Sequence, residues 1–130
     1  MSFESEVRDF VIKANGLQEK QIRYLCLDLF KNVVQGTPVD TGRARGNWQA
    51  TINTPATEST EKTDKQGGAT ISAASNAVSQ AAGNVFYITN NLPYIYRLEF
   101  EPNFAKQKQG GWVRTAIERT KQIATKMPRS

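Results

Sequence analysis

Histidine is absent from this chain, and cysteine occurs once, at Cys26. The first absence removes imidazole metal ligands, Ser-His and Cys-His nucleophile pairs, and the commonest general base. The second excludes an internal disulfide, and the setting IRYLCLDLF makes Cys26 a small buried hydrophobe. Lysines and carboxylates form no cluster with catalytic spacing, so the sequence predicts no enzyme, metal or cofactor. Gly67-Gly68 and Gly110-Gly111 lack the Lys-Ser/Thr pair that a Walker-type phosphate loop needs. No run approaches the roughly eighteen apolar residues required of a membrane helix. The opening MSFESEVRDF is acidic and mixed, which predicts neither a secretory signal nor a transit peptide, and hence synthesis in the cytoplasm.

What is present fits one domain: 130 residues, 38% hydrophobic, 22% charged, enough for a single modest core. The net charge of +5 is unevenly placed. Residues 1–34 carry five basic and five acidic side chains, whereas from Phe100 onward Lys106, Lys108, Arg114, Arg119, Lys121, Lys126 and Arg129 face only Glu101 and Glu118. A basic segment of this kind meets phosphate or an acidic protein surface, or is a solvated helix face.

Apolar periodicity predicts helix over 3–34. Phe3, Val7, Phe10, Val11 and Ala14 form one stripe, Ile22, Leu25, Cys26, Leu29 and Val33 a second, and Asn15-Gly16 between them predicts either a kink or a short helix followed by a longer one. Gly36 is the expected left-handed cap, with Pro38 beyond it. NWQATINT alternates as a half-buried strand led by Trp48, Ala50 and Ile52. The polar stretch 54–68 predicts a flexible loop, a hairpin tip. Residues 73–82 suit a short helix, or a strand through Ile71 leading into one. VFYIT at 85–89 is the clearest strand. Asn90-Asn91 suits a positive-φ turn, and Pro93 the first position of a short helix with Ile95, Leu98 and Phe100 inward. A second polar loop spans 101–110, and a helix spans 112–126. Helices at both ends with strands between predict an α+β fold, helices on one face of a small antiparallel sheet.

Two stretches stand out. In TPVDTGRARGNW (37–48), Asp40 is placed for an Asx-turn completed by Gly42, and Arg43 and Arg45 alternate toward one side. This is either a chain reversal anchored by Trp48, or an arginine-bearing corner that docks on another subunit. In NNLPYIYRLEF, Tyr94, Tyr96, Arg97 and Glu99 include the residue types that dominate interface hot spots, though tyrosines capping a core read the same way. Aromatics interleaved with cations stack bases, but these tyrosines lie apart in sequence from the C-terminal lysines.

Taken together, the blocks resemble the minor tail or tail-completion (neck) proteins of long-tailed bacteriophages, the lambda-type minor tail protein Z family. The matching positions are Pro38, Asp40, Thr41, Gly42, Arg43, Arg45 and Trp48, then Asn91, Pro93, Tyr94, Leu98, Glu99 and Phe100, then Gly111, Val113 and Arg114. They occur in the family's order and span most of the chain outside 54–80. Glu101 stands where the family has glycine, and the proline before the last glycine is missing. The resemblance implies a structural virion protein with tail-terminator-like architecture, made in the host cytoplasm. It implies a homo-oligomeric ring, commonly a hexamer, that completes the tail and joins it to head-connector or adaptor proteins around a lumen for DNA. Subunit or partner contacts are then expected at Asp40, Arg43, Arg45, Tyr94, Tyr96, Arg97, Glu99 and Arg114. Lys106, Lys108, Arg119, Lys121 and Lys126 are expected to meet DNA, without sequence specificity, or an acidic neighbour. The alternative is a small basic nucleic-acid-binding module.

Overall fold

The computed structural model describes residues 9–12 (backbone), 16–101 and 111–128. Three short strands form an antiparallel sheet: β1 (Asp9–Ile12), β2 (Gln49–Ile52) and β3 (Phe86–Thr89), in the order β1-β3-β2. β3 is central, as its β-branched and aromatic content requires. Ala50 pairs with Ile88 and Ile52 with Phe86, so these four side chains share one face and pack into the core with Trp48.

The helices are α1 (Glu19–Gly36), the single turn α2 (Arg43–Gly46), α3 (Gly68–Ala73), α4 (Ser75–Ser79), α5 (Ile95–Phe100) and α6 (Trp112–Lys126). The fold is therefore α+β, helices on a small antiparallel sheet. α1 buries Ile22, Leu25, Cys26, Leu29, Phe30, Val33 and Val34 and packs principally on α6. The two run antiparallel: Gln21 Nε2, near the start of α1, donates to the Pro128 carbonyl at 2.9 Å, and Trp112, opening α6, donates to Val33. The Gln21 side chain also accepts from the Gln18 N–H at 2.8 Å, which satisfies one free donor of the first turn.

Several expectations are corrected. The helix expected ahead of the Asn15-Gly16 interruption does not form at residues 9–12. Residues 9–12 are a strand paired with β3, and α1 begins only at Glu19. The remainder of the first stripe lies outside the described residues. Gly36 is not a left-handed cap: Thr37 ends the helix in extended geometry. The glycine is needed for close approach, because a Cβ there would sit 2.8 Å from Trp112 Cδ1. The stretch 54–68 is no hairpin tip, since it leads into α3, and residues 68–79 form two short helices. Asn90 and Asn91 do not adopt positive φ. α5 starts at Ile95 with Tyr94 as its cap, so Pro93 precedes the helix.

Candidate functional site

The conspicuous feature is the end of α1. An α-helix leaves its last carbonyls without intrahelical donors, and here the stretch 37–48, with Trp112, supplies donors for them. Thr37 donates its N–H to Val34 O (3.2 Å) and its hydroxyl to Val33 O (2.7 Å). The Trp48 indole donates to the Thr37 hydroxyl at 2.8 Å, and the Trp112 indole to Val33 O at 3.0 Å. Arg45 Nη2 reaches Gln35 O and Thr37 O, both at 2.9 Å, while its Nη1 holds Lys65 O at 2.7 Å. A guanidinium suits this end of the helix because the macrodipole there is negative.

The turn is also not the one expected. Asp40 is exposed, and among the described residues its carboxylate accepts no hydrogen bond. Thr41 Oγ1 accepts from the Arg43 N–H at 3.2 Å instead. Gly42 is required, with φ +89° and the backbone of Asp64 and Lys65 within 3.0 Å of any added Cβ. Arg43 and Arg45 lie in the helical turn α2 and not on a strand. Arg43 binds Thr60 O (3.3 Å) and Glu61 Oε1 (3.2 Å). Both arginines are thus occupied within the chain.

Both Arg43 partners and the Lys65 carbonyl held by Arg45 lie in 54–68, which is not a free loop. The side-chain amide of Asn47, fully buried, accepts from the Thr60 N–H (2.7 Å) and donates to Thr60 O (3.0 Å) and Arg43 O (2.8 Å), in effect a one-residue β-bridge. Gln49 and Asn91 hold Glu58 O and Ala56 O, each at 2.8 Å. Asp64 accepts from the Gly67 N–H and from the Thr70 N–H and hydroxyl at 2.7–2.9 Å. Burial pushes its carboxyl up, but these hydrogen bonds, led by Thr70, and the charge of Lys62 outweigh that and hold it below its ordinary value. These contacts give the segment a defined path.

The second block meets the first through Asn90, which donates to Ala44 O at 2.9 Å and accepts from the Leu92 N–H. It meets the third through Glu99. Expected at a subunit boundary, this carboxylate is 1% exposed. It accepts from the N–H groups of Val113 (3.1 Å) and Arg114 (2.9 Å) and from Arg114 Nε (3.0 Å). It therefore satisfies the first turn of α6 and cannot meet a partner. Arg114 also donates to Glu99 O and lies over the Phe100 ring, 4.1 Å from its centroid. Tyr96 stacks on that ring at 4.8 Å, Tyr94 packs on the core, and Arg97 binds Glu101 at 3.0 Å.

Of the basic positions, Arg119 approaches Asp28 at 3.7 Å, Lys121 and Lys126 are exposed on α6, and Lys106 and Lys108 lie outside the described residues. Sequence reasoning missed Thr37, Asn47, Asp64, Asn90 and Trp112 as organisers. The polar signal that could have found three of them is a threonine directly after a helix stop and amides beside predicted strand ends. Among the described residues no group of His, Cys, Asp and Glu is placed to hold a metal ion, and no helix is long and apolar enough to cross a membrane. Comparison of the chain with protein-family models, with curated proteins and with solved structures finds no match.

Proposed function

We propose that this chain is a structural, non-enzymatic virion protein. Copies of it assemble into a ring, a hexamer by the resemblance, at the neck or head-proximal end of a bacteriophage tail. The ring completes the tail, contacts tail-tube and connector proteins, and leaves a lumen for DNA. One observation supports the reading: matched positions of the three blocks tie distant parts of the chain together. Arg45 and Trp48 of the first bind Gln35 O and Thr37 at the end of α1, and Glu99 of the second accepts from Val113 and Arg114 of the third, beside Trp112, which donates to Val33 O of the same helix. Residues shared with such a family would then be those that build its common corner, while the surfaces that meet neighbours vary.

Mass spectrometry of purified phage particles from a host carrying the gene tests this. The chain is expected in intact particles at a few copies per tail, and particles lacking it are expected to have unjoined heads and tails. Its absence from joined particles would overturn the reading. The basic α6 residues favour the second reading, a nucleic-acid-binding module. That reading predicts retention of duplex DNA at low salt that falls steeply as salt rises.

A further inference from the structure

β2 is an edge strand with an open side. Asn53 donates its N–H to Val85 O at 2.8 Å, which sets the alternation of the ladder. Gln49 and Thr51 turn their backbone groups to β3, and Ala50 and Ile52 turn theirs outward. Among the described residues nothing pairs with these outward groups. β2 carries no charge and no proline, two of the devices that blunt an edge. Beside it lies a cavity of about 270 Å³, its lining including Trp48, Ala50, Ala73 and Ala74 with the polar Thr60 and Lys62. A strand added to an edge pairs through its backbone and sends alternate side chains to each face. One of those faces meets the cavity, because Ala50 both lines it and packs on the core. The edge therefore fits an extended segment with apolar side chains on one face and, since Lys62 is exposed, with acidic charge.

We propose that the β2 edge receives residues 3–7 of a second copy as an added strand. This contact rests on the ring reading above and supplies its interface. Residues 1–8 lie outside the described residues, and their sequence has the required chemistry. At a period of two, Phe3 and Val7 share one face with Ser5, and Glu4 and Glu6 take the other. The acids give the arm the charge opposite to Lys62. The chain's own arm cannot lie there. Val7 is two residues before Asp9, which pairs with Thr89 on the far side of β3. A strand beyond β2 is three strand spacings from β1, about 14 Å, whereas two residues reach only about 7 Å. The arm must therefore come from another subunit. A second β2 is the poorer fit, because its Ala50 and Ile52 already pack on their own core and it brings no acid. Arm and edge are different patches of one subunit, so the contact is head-to-tail and closes into a ring or runs on as a filament.

Cross-linking between two variants tests the contact. Cys26 is 1% exposed and burial pushes its thiol up to about 12, so the background is unreactive. Ser5→Cys and Ala73→Cys chains, mixed with a short bis-maleimide, are expected to form the mixed dimer well above either self-dimer. Ala73 is exposed and lines the cavity, so Ala73→Phe fills the space from outside. It is expected to weaken association by about tenfold or more with an unchanged melting temperature. Phe3→Ser with Val7→Ser is expected to weaken association to a similar degree. Lys62→Glu is expected to weaken it as well, and Glu4→Lys with Glu6→Lys in the same chain to restore it. An oligomer that survives either Ala73→Phe or the Phe3 and Val7 changes, or that cross-links Ala73→Cys only to itself, overturns this interface while leaving a ring intact. Cross-linking within single chains carrying both cysteines, undiminished by dilution, would give the arm to its own subunit and overturn the proposal. A wild-type chain that never associates overturns the ring reading as well.

Discussion

Arg45 shows how much one side chain in the corner does. Its guanidinium spans carbonyls of the α1 end and of residue 65, three hydrogen bonds in two directions from one planar group. Lysine offers the same charge as a point and cannot span both stretches. Arg45→Lys is therefore expected to lower unfolding free energy by about 2 kcal/mol, read by urea denaturation. Asp64 gives a pH prediction at the same scale. Its folded-state pKa lies below the ordinary value of 3.8, so the folded state favours the ionised form. Its contribution to stability is complete above that value and is lost as pH falls below 3.8 toward the folded pKa. Asp64→Asn should be less stable at neutral pH and should show a smaller stability loss on acidification. Melting temperatures measured across that acid range check it, and parallel curves would contradict it.

At the scale of elements, α5 and α6 are joined through the Glu99 carboxylate, which serves as the missing acceptor for the start of α6. Glu99→Gln places an amide where two oxygens accept three N–H groups. The expected cost is about 2 kcal/mol, with loss of hydrogen-exchange protection centred on the first turn of α6. A loss spread evenly over the chain would contradict the capping role. The elements also show what the sequence made legible. α6 spans 112–126 as periodicity predicts, and β2 and β3 fall within the alternating and β-branched runs. These signals are local. At 9–12 the periodicity predicts helix where a strand forms, because Phe10, Val11 and Ile12 fit either period over so short a run. Only pairing with β3, more than seventy residues away, decides the outcome. The site was half legible. The corner and its arginines were conspicuous in type, but their partners Thr60, Glu61 and Lys65 lie in a polar segment whose path hydrogen bonds alone define.

For the whole molecule, three of the side chains that the sequence places at a partner surface are engaged inside the chain. Glu99 is buried, and Arg43 and Arg45 are engaged inside the chain. Among the described residues, Tyr24 and Leu27 of α1 and Lys121 and Lys126 of α6 are exposed. The most direct measurement is the mass of the purified assembly by native mass spectrometry across a concentration series. The account predicts a single closed species of fixed copy number, a hexamer, in equilibrium with monomer and held together less well as salt rises. A monomer at every concentration, or an open ladder of ever larger species, would contradict it.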